Sequence, residues 1–541
     1  MKLPIQHFVT ACMLTVAGMT AQSNAVGTWI PVTATAPGQS GGGLILLSDG
    51  SVLCKSYSGG TDGLGNIWNK LTPDIHGSYA NGTWSSIAPM IDTRLYFSSQ
   101  LLMDGRLYVA GGEYGTGLAK GEVYNPLTNT WTATPSPLGN VSDGNSELMP
   151  DGRVMQALVA GTLKGTSIYN PKTNTFVAGP TCKGIHNESA WMKLPDNSIL
   201  FVDRLATASE RYIPLRNAWY VDGVVPVALY DAYGYETGGA VLLPNGKAFF
   251  VGSTGKTALY TPTGTETKGT WAAGAVVPGS NGAPDAPMAM MSDGKVLHLA
   301  SPIPTSANHF PTPTTFYEYD YLTNTHTQIS APTGGTSIND SCYVFTLLDL
   351  PDGNVLFAYQ GSSQYYIYRP SGAPLAAGKP VISYYSQDGC GKYTLTGTKF
   401  NGISEGASYG DDWQMNTNYP IIRLSSGTNV YYARTYNWNS CGVSTGNMVT
   451  TTNFTIPASV PAGTYSMVVT ANGIASDAIS FDYTPTRSAD LDGDNVVDSS
   501  DMSLALLDFG PCTNCSADID MDNMVDSSDL SLVLLNEGTC Q

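Results

Sequence analysis

Apolar residues, a turn pair and apolar residues again form a phrase that the chain repeats seven times. It reads LILLSDGSVL around Asp49-Gly50, LLMDGRLYV around Asp104-Gly105, ELMPDGRVM around Asp151-Gly152 and MKLPDNSIL around Asp196-Asn197. It continues as LLPNGKAFF around Asn245-Gly246, MMSDGKVLH around Asp293-Gly294 and DLPDGNVLF around Asp352-Gly353. The turns begin at residues 49, 104, 151, 196, 245, 293 and 352, so the spacing runs from 45 to 59 residues. Asp-Gly and Asn-Gly between apolar runs signal tight hairpins, with positive φ expected at both turn residues. A repeat of this length fits one four-stranded blade, and the pattern predicts a seven-bladed β-propeller over residues 26–377.

A second phrase follows most of these turns: Tyr124…Trp131, Tyr169…Phe176, Tyr212…Trp219, Tyr260…Trp271 and Tyr319…His326. Segments such as YNPLTNTW and YNPKTNTF predict a third strand, a turn and a fourth strand. This layout resembles the kelch repeat, whose Gly-Gly pair is complete only at Gly111-Gly112. The last blade has a third strand near Tyr365 and Tyr368 but no Trp after it. The segment GTWIPV, with Trp29, supplies the missing outer strand, so the N-terminus is expected to close the ring.

From residue 378 to 484 the pattern changes to short alternating strands, among them PVISYYS, YTLTGTKF, VYYARTY and GTYSMVVTANG. They read as an immunoglobulin-like β-sandwich. A short linker then leads to residues 488–541, where one acidic loop is written twice, 28 residues apart. Residues 490–501 read DLDGDNVVDSSD and residues 518–529 read DIDMDNMVDSSD. Asp490, Asp492, Asp494, Asp498 and Asp501 occupy loop positions 1, 3, 5, 9 and 12, as do Asp518, Asp520, Asp522, Asp526 and Asp529. With the backbone carbonyls of Val496 and Met524 at position 7, each loop offers a hard cation the oxygens it requires. Position 6 is Asn495 or Asn523, a residue type that tolerates a left-handed turn. Leucines at helical spacing follow each loop, from Leu504 and from Leu530. The pair resembles the dockerin domain, a calcium-binding module that plugs exported proteins into cohesin-bearing scaffolds. The resemblance implies two Ca2+ ions, a small α-helical EF-hand pair and cohesin contacts through Ser499-Ser500 and Ser527-Ser528. The fold expected overall is mainly β, with this α module at its end.

The N-terminus has Lys2, an apolar run from Phe8 to Ala21, and small residues at Ala21 and Ala25, the make-up of a secretory signal peptide over residues 1–25. No later run is long enough to span a membrane. An exported, extracellular protein, free or held at the cell surface, is the expectation. Nine cysteines become eight without Cys12, an even number that permits disulfides. Cys390 and Cys441 share the sandwich region, and Cys512, Cys515 and Cys540 surround the acidic loops. Cys512-x-x-Cys515 reads as a structural disulfide, with no second pair to suggest zinc. A formal net charge of −18 argues against nucleic acid, which rewards Lys and Arg.

A kelch propeller followed by a sandwich resembles the galactose oxidase and glyoxal oxidase family of copper radical oxidases. Within RLYFSS, Tyr96 falls where that family carries its cross-linked tyrosine, and Tyr343 falls at its axial tyrosine. The remaining ligands are missing: Val344 follows Tyr343, Gly43 stands where the cysteine partner belongs, Cys54 is on the wrong strand, and no histidine follows His326. Imidazole is the natural nitrogen ligand of copper, so copper is not expected. Inner strands line the channel, and equal offsets before the turns place Gly41, Tyr96, Asp143, Glu188, Glu236, Asp285 and Tyr343 around one axis. His186, Asn187, Arg94, Tyr235 and Asp340 lie close to them in sequence. Such carboxylates can hold a cation, serve as general acid and base, or satisfy free backbone amides. The leading expectation is a binding protein whose Tyr-rich face, with Tyr114, Tyr233 and Tyr235, takes a glycan or another extracellular ligand. The alternative is a polysaccharide-degrading enzyme: a hydrolase or lyase, or an oxidase.

Overall fold

Seven antiparallel blades, five of them four-stranded, one five-stranded and one six-stranded, follow one another in a computed structural model, which describes residues 25–539 apart from 160–163, 388–391, 407–416, 444–445, 486, 495 and 514. Residues 1–24 of the expected leader, Cys390, Asn495 and Cys540 fall outside the described residues. Blade 1 runs from an inner strand at Ser40–Leu46 to an outer strand at Thr83–Ser86, and blades 2 to 6 repeat the order. Blade 7 takes its outer strand from the N-terminus. Thr28–Pro31 pairs with Tyr366–Arg369, so the two ends of the ring are stitched by a sheet ladder. Trp29 fills the position that blades 1 to 6 give to a residue of their own outer strand, and its indole nitrogen donates to Ser330 O at 2.8 Å.

The inner hairpins differ from expectation in one respect. Positive φ occurs only at the second residue of each turn pair: Gly50, Gly105, Gly152, Asn197, Gly246, Gly294 and Gly353. In blade 1 the Gly50 amide donates to Leu47 O at 3.0 Å and the Leu47 amide donates to Ser51 O at 2.8 Å. That is a three-residue loop, a type I turn closed by one left-handed residue, and not a two-residue turn with both residues left-handed. The first residue has a separate task. Asp49 Oδ1 accepts from the Ser51 amide at 3.0 Å, and the corresponding Asp or Asn does the same in all seven blades.

The outer hairpins carry a second local device. Tyr124, Tyr169, Tyr212 and Tyr319 each donate a hydroxyl to an Asn Oδ1 five residues on, at 3.0 Å, and those asparagines have positive φ. The Trp131 indole donates to Ala88 O of the preceding blade at 2.8 Å, and Asn129 Oδ1 accepts from the Ala88 amide at 2.9 Å. Blade 2 is thus latched to the blade before it.

Residues Val381–Tyr483 form an eight-stranded antiparallel β domain with its own core around Leu395, Phe400, Ile422, Phe454 and Phe481. It sits on the turn side of the propeller. Tyr419 donates to Leu46 O at 2.5 Å, Arg434 to Asp104 O at 2.6 Å, and Trp438 N to Met103 O at 3.3 Å. One strand of this domain, Glu405–Gly406, enters the ring and pairs with the inner strand of blade 5 at Val241 and Leu242. Lys193 is buried there, with its ammonium 2.8 Å from Glu147 Oε1 and 2.9 Å from Glu405 Oε1. Burial opposes the lysine charge, but the two carboxylates hold it charged, above its ordinary range.

The C-terminal segment has the two α-helices of the described residues, α1 (Ser499–Leu507) and α2 (Ser527–Leu535). Gly510–Pro511 after α1 pairs with Met524–Val525, and Gly538–Thr539 after α2 pairs with Val496–Val497. Each repeat therefore lends a strand to the other repeat's loop. Its core is small, centred on Ala505, Ile519, Val525 and Val533. Cys512 and Cys515 are joined as a disulfide. Cys54, Cys182, Cys342 and Cys441 are buried free thiols. Among the described residues, no helix is long and apolar enough to cross a membrane.

Candidate functional site

The inner strands start at the propeller face opposite the β domain, and a cavity of about 300 Å³ opens there. Tyr96, Glu188, Glu236, Asp285 and Tyr343 line it, together with Leu95, Glu113, Tyr114 and Phe310. Three equivalent offsets share one backbone solution: Tyr96, Glu188 and Asp285 have φ of 52°, 50° and 50°, and Tyr235, one residue before Glu236, has 63°. Left-handed geometry at residues other than glycine is costly, and the surrounding blades enforce it at each site. Gly41 is absent from the lining.

Asp143 stands beside the cavity lining, 7 % exposed, where it feels the charges of Glu113 and Arg204. Burial pushes its carboxyl up to about 7, and the Glu113 charge adds to the effect. Burial likewise pushes Glu236 up to about 7, with Arg204 pulling it back. The Arg204 guanidinium is ion-paired with Glu188 and lies 3.9 Å from Glu236 Oε2. Its remaining donors hold Gly234 O at 2.8 Å and Tyr235 O at 3.3 Å. Asp231 shapes the same loop by accepting from the amides of Tyr233, Gly234 and Glu236.

The aromatic side is Tyr96, Tyr114, Phe310 and Tyr343. Tyr96 meets Tyr114 edge-on at 6.2 Å and Tyr343 at 6.4 Å, and Phe310 meets Tyr343 at 4.9 Å. Gln360 lies between hydroxyls: Tyr57 donates to its Oε1 at 2.5 Å, and its Nε2 donates to the Tyr96 hydroxyl at 3.3 Å.

Other sequence neighbours fall elsewhere. His186 is fully buried, stacked on Phe201 at 4.0 Å and bonded to Trp191 and Cys182, and burial pushes it down to about 3. Arg94 is buried against Glu122 at 2.9 Å. Asn187 bonds Asp143, and Asp340 accepts from the Tyr359 hydroxyl at 2.7 Å. Tyr233 and Tyr235 are partly exposed at the rim.

Glu113, Arg204 and Gln360 were missed in the sequence, yet they obey one rule. Each stands just after the second strand of its blade, which ends at Ala110, Val202 and Tyr359. Antiparallel pairing returns those ends to the face where the inner strands begin. Phe310, on a loop of blade 6, carries no such signal.

In the C-terminal repeats, ligand atoms of Asp490, Asp492 and Asp494 lie within 4.8 Å of one another, and so do those of Asp518, Asp520 and Asp522. Asn523 has φ of 70°. Asp498 and Asp526 cap the helices and accept from the Ser500 and Ser528 amides at 2.7 Å. Asp501 is buried and accepts from the amides of Leu491, Asp492 and Asp498; Asp529 repeats this with Ile519, Asp520 and Asp526. Position 12 thus knots each loop. Ser499, Ser500, Ser527 and Ser528 are exposed, and so are Leu506, Leu507, Leu534 and Leu535.

Residues 101–138 match the family model of the Kelch motif. No curated protein matches the chain. Among solved structures it is similar to one described as a novel fungal alcohol oxidase with catalytic diversity among the AA5 family, in complex with copper. The TM-score is 0.52 at 15 % identity, over 85 % of this chain and 99 % of that one. It is also similar to virginiamycin B lyase from Staphylococcus aureus at a TM-score of 0.43 and 11 % identity, over 63 % of this chain and 98 % of that one. The architecture is that of a kelch-type, seven-bladed propeller of galactose oxidase-like fold.

Proposed function

We propose that this chain is an exported glycan-binding propeller, attached to a scaffold or surface partner by a calcium-dependent, dockerin-like module. The observation that carries the first half is the open cavity walled by Tyr96, Tyr114, Phe310 and Tyr343 and edged by Glu113, Glu188, Glu236 and Asp285. A pyranose presents an apolar face to aromatic rings and hydroxyls to planar acceptors, and the cavity offers both within the volume of about one sugar. Binding of a polysaccharide panel to the chain, beside its Asp285→Asn variant, tests this. Retained binding to every positive glycan in the variant excludes the central face.

The three-carboxylate clusters and the exposed serine and leucine faces of α1 and α2 support the second half. A repeated apolar patch on a segment with so small a core suits a protein partner. The Asp490 and Asp518 clusters would hold the two Ca2+ ions, which would screen six carboxylates brought together. Chelation is expected to abolish the helical signal of this segment and its binding to a cohesin-like partner, leaving the propeller intact. Helicity that survives chelation contradicts ion-coupled folding.

A second reading is favoured by one observation: Asp143 and Glu236 are both pushed up to about 7, where a carboxyl serves as general acid or base. New reducing ends or unsaturated products from a bound polysaccharide would establish a hydrolase or lyase. Copper radical chemistry does not fit these residues. Among the described residues no histidine lines the cavity, Val344 follows Tyr343, and Cys54 is buried beside Tyr365.

A further inference from the structure

Among the described residues, none of the nine that line the cavity is basic, while four are carboxylates. Asp143 adds a fifth close behind them, and Arg204 is the counter-ion that this acidic group feels. Arg204 is committed to Glu188 and to two backbone carbonyls. At 3.9 Å it is too far from Glu236 for a hydrogen bond, and Glu236 Oε2, buried at the cavity wall, accepts none. Asp143 Oδ1 is also buried without a donor. Buried carboxylate oxygens of this kind are costly unless a donor or cation arrives.

Tyr96, Tyr114, Phe310 and Tyr343 supply aromatic rings to the same lining. Ring faces are negative at their centres and attract organic cations, whereas a bare divalent ion seeks six to eight oxygens and gains little from rings. Carboxylates and aromatic rings together in one lining favour a ligand that is itself amphipathic and positive. We infer that the cavity takes a cationic sugar unit, a hexosamine with a free ammonium, from its glycan. The ammonium sits among Glu188, Glu236 and Asp285, and the pyranose face lies on the tyrosine wall. This assignment rests on the glycan-binding reading and adds the charge of the ligand to it. Entry of the ammonium supplies the donor that Glu236 Oε2 lacks.

The test is titration of the full chain, near neutral pH with Ca2+ present, against a glucosamine oligomer, its N-acetylated counterpart and a glucose oligomer of equal length. The free-amine oligomer is expected to bind at least about tenfold tighter than either neutral one, with affinity falling as salt rises. Glu236→Gln and Asp285→Asn are each expected to remove that preference while leaving the melting temperature near that of the parent chain. Equal binding of the free-amine and N-acetylated oligomers overturns the charge assignment and leaves glycan binding standing. Absence of binding to all three overturns both. Glucosamine binding that both folded variants retain undiminished also overturns the assignment.

Discussion

At the scale of single residues, His326 shows how a repeat tolerates an exception. It occupies the tryptophan position of blade 6, and its Nε2 bonds Ala275 O at 3.1 Å as the Trp131 indole bonds Ala88 O. Its Nδ1 then accepts from His298 Nε2 at 2.9 Å. Burial holds both imidazoles neutral, below their ordinary value, and the neighbouring His326 lowers His298 further. The unfolded chain therefore binds protons that the folded chain refuses. Their contribution is complete above about pH 6.5 and is lost as pH falls, by up to roughly 1.4 kcal/mol per histidine per pH unit. Replacing the pair by His298→Phe and His326→Trp should raise stability more at about pH 5.5 than at about pH 8, measured by urea unfolding. An equal change at both pH values contradicts the account. Asp143 acts with the opposite sign. Its folded value near 7 lies above the unfolded one, so its contribution is present below about pH 4 and lost as pH rises toward 7. Asp143→Asn should stabilise the chain at about pH 8 by on the order of 1–3 kcal/mol and do little at about pH 4. Thermal melts at the two pH values decide it.

At the scale of elements, short-range chemistry explains most of the regularity. The seven inner turns and the Tyr–Asn clasps of the outer hairpins are each contained within a few residues, so they were readable from the repeated phrases. The expectation of two left-handed residues per turn failed because Asp is better used as an acceptor for the amide two residues on. In α1 and α2 the helical spacing of leucines was visible, but their fate was not. Leu507 and Leu535 are each 80 % exposed, while Ala505 and Val533 fill the core. The strand Glu405–Gly406 is the least legible element, since its partner Val241–Leu242 is more than a hundred residues away. Lys193 holds it in place. Lys193→Met leaves Glu147 and Glu405 buried without their cation, and a loss of about 3–5 kcal/mol is expected. Easier proteolysis between the propeller and the β domain should accompany it. A variant as stable as the parent would show that the ion pair is dispensable.

At the scale of the molecule, the ring is held shut by a strand from its opposite end. Trp29 packs against Phe316, Phe357 and Tyr368, with ring centroids 4.7–5.8 Å away. Trp29→Ala should cost roughly 2–4 kcal/mol and lower the single unfolding transition of the propeller, because opening one blade exposes the flanks of two. A separate early transition with the main one unmoved would mean that closure is peripheral to stability. The number of blades, the closing strand, the doubled acidic loop and most of the carboxylates at the channel mouth can be read along the chain. Those features are written in turn chemistry and strand periodicity, which act between neighbours along the chain. Tertiary structure alone decided that Glu113, Arg204, Gln360 and Phe310 join them, that Arg94 and His186 do not, and that the β domain covers one face and leaves the other open. Residues drawn from six blades meet only after sheets pair and the ring closes, and spacing along one strand carries no record of that meeting.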